Sequence, residues 1–583
     1  MKRNPAATED PRQRATIDGR VAFAIAGFAA LAGLLALLDR IGAPEPLIRA
    51  LGPLAVLAAL ATIGALLRVM TPPRFYAARA VPTPYAGFAT VAFGLGLALP
   101  FAPPAANGDV GGGVAWGAAA GLAVGLLVLN PALRRTGALS IGGLLAARFP
   151  YPLFRLALGV ILAAIGALIG LAGVQAAIAA LSDVLGLGRP AVTALLAFTL
   201  VLVAAPGGLF GLLWAANGAG GVLLAALGLP VAFLMLHGDM PTPILEQSPV
   251  WGEAAGRIAQ WGGEAGLSGW AATLGAACGV AGLTPLLAGW GAARNGAAAF
   301  RAGIFTLGWA GVAAALAAIA LLWGVLALGQ AVGGREPDRL PEAVYAGGAV
   351  GILDLCGAPA PNPAAARRNC AERSKTGPLG PADARPRGPF FPMALTGLAG
   401  AGTAGTSLLA AGLVAVELCL AAIGFFLCAT TLGRDLLGRN GGRGAQTSRR
   451  LATTRALMVG VAAIGVAWGG ARTFDPRLLI GLAFMLAAAV ILPLLVLCFA
   501  QRVTGRDALA ALFGGVAGAE IVLFAGGPTP DVMARAALVG TLAGIAAGIA
   551  ASYVGAGDRA GGDRFLQAVR HGRDDAFAPD GGA

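Results

Sequence analysis

Hydrophobic and polar positions divide this chain into long apolar runs separated by short polar segments. Most runs hold about twenty apolar residues, the length that an α-helix needs to cross a bilayer. The runs fall at 21–39, 51–70, 85–103, 111–130, 154–181, 189–206, 209–236, 269–292, 300–332, 391–431, 454–471, 477–500, 507–526 and 532–554. The pattern therefore predicts an all-α integral membrane protein with about 14 transmembrane helices.

The tenth run, 391–431, is too long for one simple crossing. It predicts either one long tilted helix or a helix preceded by a re-entrant segment near Gly402–Ser407. The sequence leaves both possibilities open.

Composition excludes a water-soluble fold. Of the 583 residues, 57% are hydrophobic and only 12% are charged, and the mean hydropathy is +0.78. An ordinary soluble domain carries about 25% charged residues. A net charge of +13 would suggest nucleic-acid binding in a soluble protein, but here the basic residues lie in short loops between apolar runs. We therefore expect membrane lipid, and no nucleic acid, as a partner.

The distribution of arginine predicts the orientation in the membrane. Loops that are enriched in arginine and lysine usually face the cytoplasm, and basic residues are concentrated in alternate loops of this chain. These residues are Arg74, Arg79, Arg134, Arg135, Arg148, Arg294, Arg434, Arg439, Arg443, Arg449, Arg450, Arg502 and Arg506. An even number of crossings then places both termini in the cytoplasm. The Arg-, Ala- and Gly-rich composition is typical of a bacterial protein, so we expect the inner membrane.

Sequence motifs give no support for an enzyme, a cofactor or a metal site. The chain has no CxxC, HExxH or P-loop motif.

We expect the chain to be divided into three parts: a cytoplasmic N-terminus with one extra helix (1–50), a core (51–526), and a last helix with a cytoplasmic tail (527–583). We expect loop 333–390 to be periplasmic and irregular, because it is rich in Pro and Gly, and the tail from about 557 to be disordered.

Cys356 and Cys370 lie fourteen residues apart in this loop. Disulfides persist in an oxidising compartment such as the periplasm, so we predict a bond between them. The other four cysteines lie in apolar runs, as expected of small core residues.

Three stretches of sequence carry a resemblance to a known family. Arg74-Phe75-Tyr76-Ala77-Ala78-Arg79 follows the second run, and Pro206-Gly207-Gly208-Leu209-Phe210-Gly211 precedes Trp214. The third stretch runs from Ile480-Gly481-Leu482-Ala483-Phe484 through Pro493 to Thr504-Gly505. Together they resemble the sodium:solute symporter family, and within it the acetate-permease branch, over about 51–520.

This resemblance implies an inverted repeat of two five-helix halves, here about 85–236 and 269–500. Such transporters bind near the midplane, where the first helix of each half is interrupted. The resemblance, together with the glycines and prolines of these two helices, therefore implies a substrate site with interruptions at Gly94–Gly96 and Pro100 and at Gly279, Gly282 and Pro285. Its expected residues are Gly94, Gly96, Gln175, Trp214, Gly282 and Thr284.

The chain departs from the family at the expected sodium site. Aligned from Asp435, the family's hydroxyl pair falls on Cys419 and Leu420, and neither supplies the hard oxygen that sodium prefers. The expected carbonyl ligands fall on Ala92 and Leu95. Glu417 lies two residues before Cys419, and acidic residues within membrane spans are usually functional. The coupling residues expected are thus Ala92, Leu95, Cys419 and Glu417, with Na⁺ or H⁺ as the coupling cation.

The sequence therefore predicts a secondary transporter that couples a cation to a small organic anion of the acetate class. A non-transporting paralogue that serves as a membrane sensor or subunit is the alternative, because polar residues are missing at several matching sites. The sequence does not indicate the substrate's identity or the oligomeric state.

Overall fold

A computed structural model describes residues 11–79, 81–101, 112–237, 252, 267–287, 289–349, 353–374, 377–380, 383–386, 402–437, 446–554 and 557–571. Its helices are α1 (Pro11–Arg40), α2 (Glu45–Leu66), α3 (Pro72–Ala77), α4 (Thr83–Ala98), α5 (Gly112–Val124), α6 (Asn130–Arg135), α7 (Ile141–Arg148), α8 (Pro152–Leu185), α9 (Arg189–Ala204), α10 (Gly208–His237), α11 (Leu267–Leu287), α12 (Gly296–Val332), α13 (Glu342–Ala349), α14 (Pro363–Glu372), α15 (Gly402–Thr430), α16 (Gln446–Ala471), α17 (Pro476–Leu486), α18 (Leu492–Leu497), α19 (Gly505–Gly526), α20 (Pro530–Val554) and α21 (Arg559–His571).

The predicted membrane-spanning architecture is confirmed. Within the described ranges, 13 helical segments are long and apolar enough to cross a bilayer, and α9 is a shorter apolar helix of 16 residues. Three crossings contain a π-helical turn, at Gly125–Leu129, Thr431–Leu436 and Ala487–Ile491. Such wide turns leave backbone groups that need other partners. The Thr541 hydroxyl of α20 meets one of these needs by donating to the Ala488 carbonyl at 2.9 Å.

Helix α15 lies at the centre of the bundle, because its most apolar window is wholly buried inside the protein. It packs against α2, α4, α8 and α10. The sequence left open whether Gly402–Ser407 belongs to this helix or to a re-entrant segment before it. In the structure these residues form the first turns of α15. Gly402 adopts a positive φ of 67°, and Asp39 of α1 accepts a hydrogen bond from the Ala404 amide at 3.3 Å. Residues 391–401 lie outside the described residues.

The described residues of loop 333–390 form regular structure, contrary to expectation. Strands β1 (Leu353–Leu355), β2 (Ala358–Pro359) and β3 (Ala384–Pro386) form an antiparallel sheet in the order β2-β1-β3. Together with α13 and α14 they enclose a small separate core, which we call the disulfide subdomain. Cys356 and Cys370 are joined there by a disulfide, and both are buried. Alternation of apolar residues in such short strands is too brief to be recognised in the sequence.

Short helices and turns collect at one end of the bundle, which we call the arginine-rich end: α3, α6, α7, α21 and the turn Trp290–Ala292. Arginines here bind backbone carbonyls that helix ends leave unpaired. Arg134 donates to the carbonyls of Ala293 and Arg294, and Arg455 donates to those of Val69, Ala205 and Pro206. The tail was expected to be disordered from about 557, but 559–571 forms helix α21, packed against α6 and α7.

Candidate functional site

The first helix of the first half is not interrupted at Gly94–Gly96, whereas Pro100 lies in the 3-10 turn that follows it. Helix α4 runs unbroken from Thr83 to Ala98, through Gly94 and Gly96, and continues as a short 3-10 turn. The Leu95 carbonyl already accepts a hydrogen bond from the Leu99 amide. The expectation that glycines would break this helix is therefore wrong for this conformation, since neighbouring helices support it on several sides.

Helix α11, the first helix of the second half, is also continuous through Gly279, Gly282 and Pro285. Its glycines allow close packing instead of a break. A β-carbon on Gly282 would lie 2.6 Å from the Ala487 carbonyl oxygen, beside the π-helical turn of the neighbouring crossing. Thr284 packs against Gly125 of another π-helical turn, and its hydroxyl donates to the Val280 carbonyl at 2.6 Å. This hydroxyl is satisfied within its own helix.

Gly94 and Gly96 have different surroundings. Gly94 is exposed, and within the described part of the chain no neighbouring group would lie within 4 Å of a β-carbon at this position. Gly96 is buried against α15. A β-carbon on Gly96 would lie 3.0 Å from the Leu420 Cβ and 3.3 Å from the Val416 Cγ1. Ala92 is fully buried and faces Gly220 of α10.

None of the side chains at the expected carbonyl and hydroxyl positions of the sodium site carries an oxygen atom. The α4 face that carries Gly96 meets the α15 face that carries Leu420. A leucine side chain occupies the contact where the resemblance implied a hydroxyl, and Cys419 is buried beside it. Sodium needs several oxygen ligands, which these side chains do not supply. Among the described residues, no group of three or more His, Cys, Asp or Glu side chains could hold a metal ion.

Glu417 lies in the middle of α15 and is fully buried. Neither carboxyl oxygen has a hydrogen-bond partner among the described residues. The backbone of Glu417 contacts Gly173 of α8, whereas Val416 and Leu420 make the contact with α4. The backbone of Glu417 thus lies on the side of α15 that contacts α8. An unpartnered buried carboxyl of this kind is rare, because removing it from water without compensation is unfavourable.

Gln175, expected at the substrate site, is engaged in a different task. Its amide nitrogen donates to the carbonyls of Gly469 and Arg472 at 3.1 and 2.8 Å, and its amide oxygen accepts from Arg189 at 2.8 Å. Arg189 also donates to the Gly470 carbonyl at 2.9 Å. The two side chains cap the C-terminal end of α16, so both ends of the Gln175 amide are occupied. Arg189 was not singled out in the sequence, although an arginine opening an apolar run is a recognisable signal.

Trp214 of α10 packs on Tyr85 of α4, with ring centroids 5.0 Å apart. Tyr85 donates a hydrogen bond to Asp18 of α1 at 3.1 Å. Trp214 therefore joins α10 to the first turn of α4 near the arginine-rich end, away from Gly94. Asn217, one turn further along α10, donates to the Leu213 carbonyl at 2.7 Å, and its own carbonyl oxygen is buried without a partner among the described residues.

Comparison with solved structures shows the fold. The chain is similar to a Na⁺-coupled sialic acid symporter, solved substrate-bound in an outward-open state, with a TM-score of 0.63 and 15% identity over 87% of this chain and 97% of that one. The chain is also similar, at 17% identity, to a nucleobase-cation-symport-1 family transporter that was solved in a closed conformation with bromovinylhydantoin bound. That match covers 85% of this chain and 99% of the transporter, but its TM-score of 0.45 is too low to support a conclusion about the fold. No protein-family model and no curated protein matches the chain. At this identity the likeness shows the inverted-repeat fold alone.

Proposed function

We propose that this chain is a secondary active transporter that couples a cation to the movement of a small organic anion across a bacterial inner membrane. The observation that carries the proposal is Glu417, a carboxyl buried without a described partner in the central helix of a symporter fold. A carboxyl at the centre of a membrane helix disfavours insertion by roughly 2.5–3.5 kcal/mol. A leucine would be easier to insert, so the carboxyl is best explained by a task that needs a titratable group.

The proton is the coupling ion that these surroundings favour. Leu420, which packs against Gly96, and the buried Cys419 supply no side-chain oxygen for sodium at the position implied by the family resemblance. A single carboxyl can carry a proton without further ligands. Glu417 takes the proton in this proposal, and the α4–α15 contact is a closed apolar seam.

The acetate-like substrate is supported by the sequence resemblance and by the exposure of Gly94, where no atom of a neighbouring described residue would lie within 4 Å of a β-carbon. Backbone N–H groups are the expected ligands of the anion at helix interruptions. Because α4 and α11 are continuous in this conformation, these groups become available only if the helices unwind locally during transport.

A second candidate is the non-transporting sensor or subunit. Two observations favour it: both helices that the fold normally interrupts are continuous, and the α4–α15 contact is apolar. If the protein is a non-transporting sensor or subunit, Glu417 keeps its proton and takes no part in coupling.

Uptake of labelled acetate into proteoliposomes, under an imposed proton or sodium gradient, tests the proposal. We expect uptake driven by the proton gradient, and its loss in Glu417→Gln, which keeps the shape of the side chain but cannot titrate. Glu520→Gln is the matched control, because Glu520 is an exposed acid on α19. Absence of acetate uptake and of acetate exchange under every gradient would favour the second candidate. Proton-driven uptake that survives in Glu417→Gln would remove the assigned role of Glu417.

A further inference from the structure

The tail helix α21 packs closely on the arginine-rich end. Its buried face carries Gly561, Gly562, Phe565 and Ala568. Phe565 packs edge-on against Phe499, with ring centroids 5.3 Å apart. A β-carbon on Gly562 would lie 2.6 Å from the Gln501 Cα, so the two backbones touch. This contact requires glycine at position 562 and is too close for a helix that only rests on the surface.

Polar contacts fix the same helix at both ends. Gln501 donates to Asp563 at 2.8 Å, and Arg135 of α6 donates to the Val569 carbonyl at 3.3 Å. Asp558, just before the helix, pairs with Arg148 of α7 at 3.5 Å. The docked helix is thus held by apolar packing along its length and by charged or amide groups at its boundaries.

Arg148 is the most deeply buried of these groups, with a side chain that is 0% exposed. Besides Asp558, it donates to the carbonyls of Cys498 and Ala500 at 3.5 and 2.8 Å, and it packs on the Phe149 ring. Burial lowers the pKa of the Arg148 guanidinium, and Asp558 acts against this shift. Removing one partner of such a pair leaves the other without its compensation.

These contacts connect the two halves of the inverted repeat. Arg148 lies in the first half, between its second and third crossings. Residues 498–502 form the turn that follows the last crossing of the second half. Helix α21 and Asp558 contact both. In folds of this type, one end opens when parts of the two halves move relative to each other, and an element bound to both opposes that movement.

We propose that α21 is an intramolecular latch that holds the arginine-rich end closed, with the Arg148–Asp558 pair as its central fastening. Release of α21 removes the helix that bridges α7 and the turn at 498–502 and leaves the two joined by the Arg148 hydrogen bonds to Cys498 and Ala500, so this end of the bundle then opens more readily. The proposal does not require the protein to transport anything, because it concerns the equilibrium between a docked and a released helix.

Hydrogen exchange, followed by mass spectrometry on the full-length protein in detergent, tests the latch. In Asp558→Asn we expect amide exchange to become about tenfold faster in α21, in α7 and in 498–504, since a hydrogen bond to a charged group typically shifts an opening equilibrium by about this factor. Arg564→Gln is the control on the same helix, because the Arg564 guanidinium is exposed and donates to the Ala560 carbonyl of α21 itself. Exchange in this variant should match the unmodified protein.

A chain that ends at Gly557 is the second variant and keeps the proposal testable if Asp558→Asn folds poorly. It should show the same faster exchange in α7 and 498–504, while peptides from the disulfide subdomain stay unchanged. Faster exchange confined to α21 would overturn the proposal, since α21 would then be an appended helix that holds nothing. Unchanged exchange at α7 and 498–504 in the truncated chain would overturn it as well. Neither measurement depends on transport, so an inactive protein would not affect the result.

Discussion

The backbone carbonyl oxygen of Glu417 lies 2.6 Å from the position that a β-carbon on Gly173 would occupy. The same close approach continues along the two helices, where Gly166 and Gly170 of α8 face Gly424 and Phe425 of α15. Small residues let membrane helices come together at backbone distance. Glu417 therefore belongs to a helix pair that packs at backbone distance, and the position of its backbone depends on a glycine of the other helix.

This relationship predicts opposite results for two glycine substitutions. Gly173→Ala forces α8 and α15 apart and should destabilise the protein by about 1–3 kcal/mol, as overpacking typically does. Gly94→Ala meets open space and removes a flexible residue from a helix, so it should be neutral or stabilising by roughly 0.5–1 kcal/mol. Thermal unfolding of the two purified variants measures the difference. Equal melting temperatures would contradict the packing seen at Gly173.

Transport should not depend on sodium at the site implied by the family resemblance. Cys419 and Leu420 replace the expected hydroxyl pair, and the Leu95 carbonyl already accepts a hydrogen bond in its helix. We expect equal acetate uptake in sodium and in choline buffers at the same proton gradient. Sodium-stimulated uptake that disappears on substitution of Ala92 or Cys419 would show that this site binds sodium after all.

The sequence was sufficient to predict the membrane-spanning architecture, with about 14 crossings expected and 13 long apolar helices and the shorter α9 found among the described residues, because twenty apolar residues in a row have few other stable arrangements. The resemblance also predicted an inverted-repeat fold, and the likeness to the sialic acid symporter supports it. The short helices and strands outside the membrane crossings were not predicted from the sequence. The disulfide subdomain and α21 are built from brief, mixed segments whose structure depends on contacts with distant residues, such as Arg148 for Asp558.

The candidate site was less predictable for a related reason. A glycine signals freedom of the backbone, but not whether the neighbouring helices use that freedom for a break or for close packing. At Gly282 and Gly96 the neighbours pack closely, and Gln175 was bound by Arg189, which sequence reasoning had not considered. Whether a glycine allows a helix break or close packing, and whether Gln175 binds a substrate or caps a helix, depends on neighbouring residues that are distant in the sequence.

The bond between Cys356 and Cys370 should stabilise the disulfide subdomain locally. The two residues are 14 apart, and closing a loop of this size stabilises a fold by roughly 3 kcal/mol in the chain-entropy model. In a double Cys→Ala variant we expect faster hydrogen exchange in 353–374 and unchanged exchange in α8. Alkylation of both thiols in the unmodified protein without a reductant would show that the bond is absent.

The arginine-rich end should face the cytoplasm, with both termini. Reporter fusions at about 105, 250 and 360 are then expected to report the periplasm, and fusions in 71–84, 131–153 and 432–453 the cytoplasm. Position 360 is the most informative, because it lies in the disulfide subdomain. A cytoplasmic signal there would reverse the proposed orientation of α12 and α15.

Glu417→Met should make the protein more stable and less active at the same time. Methionine is similar in size to glutamate and flexible enough to fill the site, and it removes two buried oxygens that have no described partner. Eliminating such unsatisfied polar atoms should raise the free energy of unfolding by about 1–3 kcal/mol. Glu520→Met, at an exposed position, is the matched control and should change stability little. Thermal unfolding and proton-driven uptake are measured on the same preparations. A Glu417→Met protein of lower stability would show that the carboxyl has a structural partner, and a more stable protein with undiminished uptake would show that it has no part in coupling.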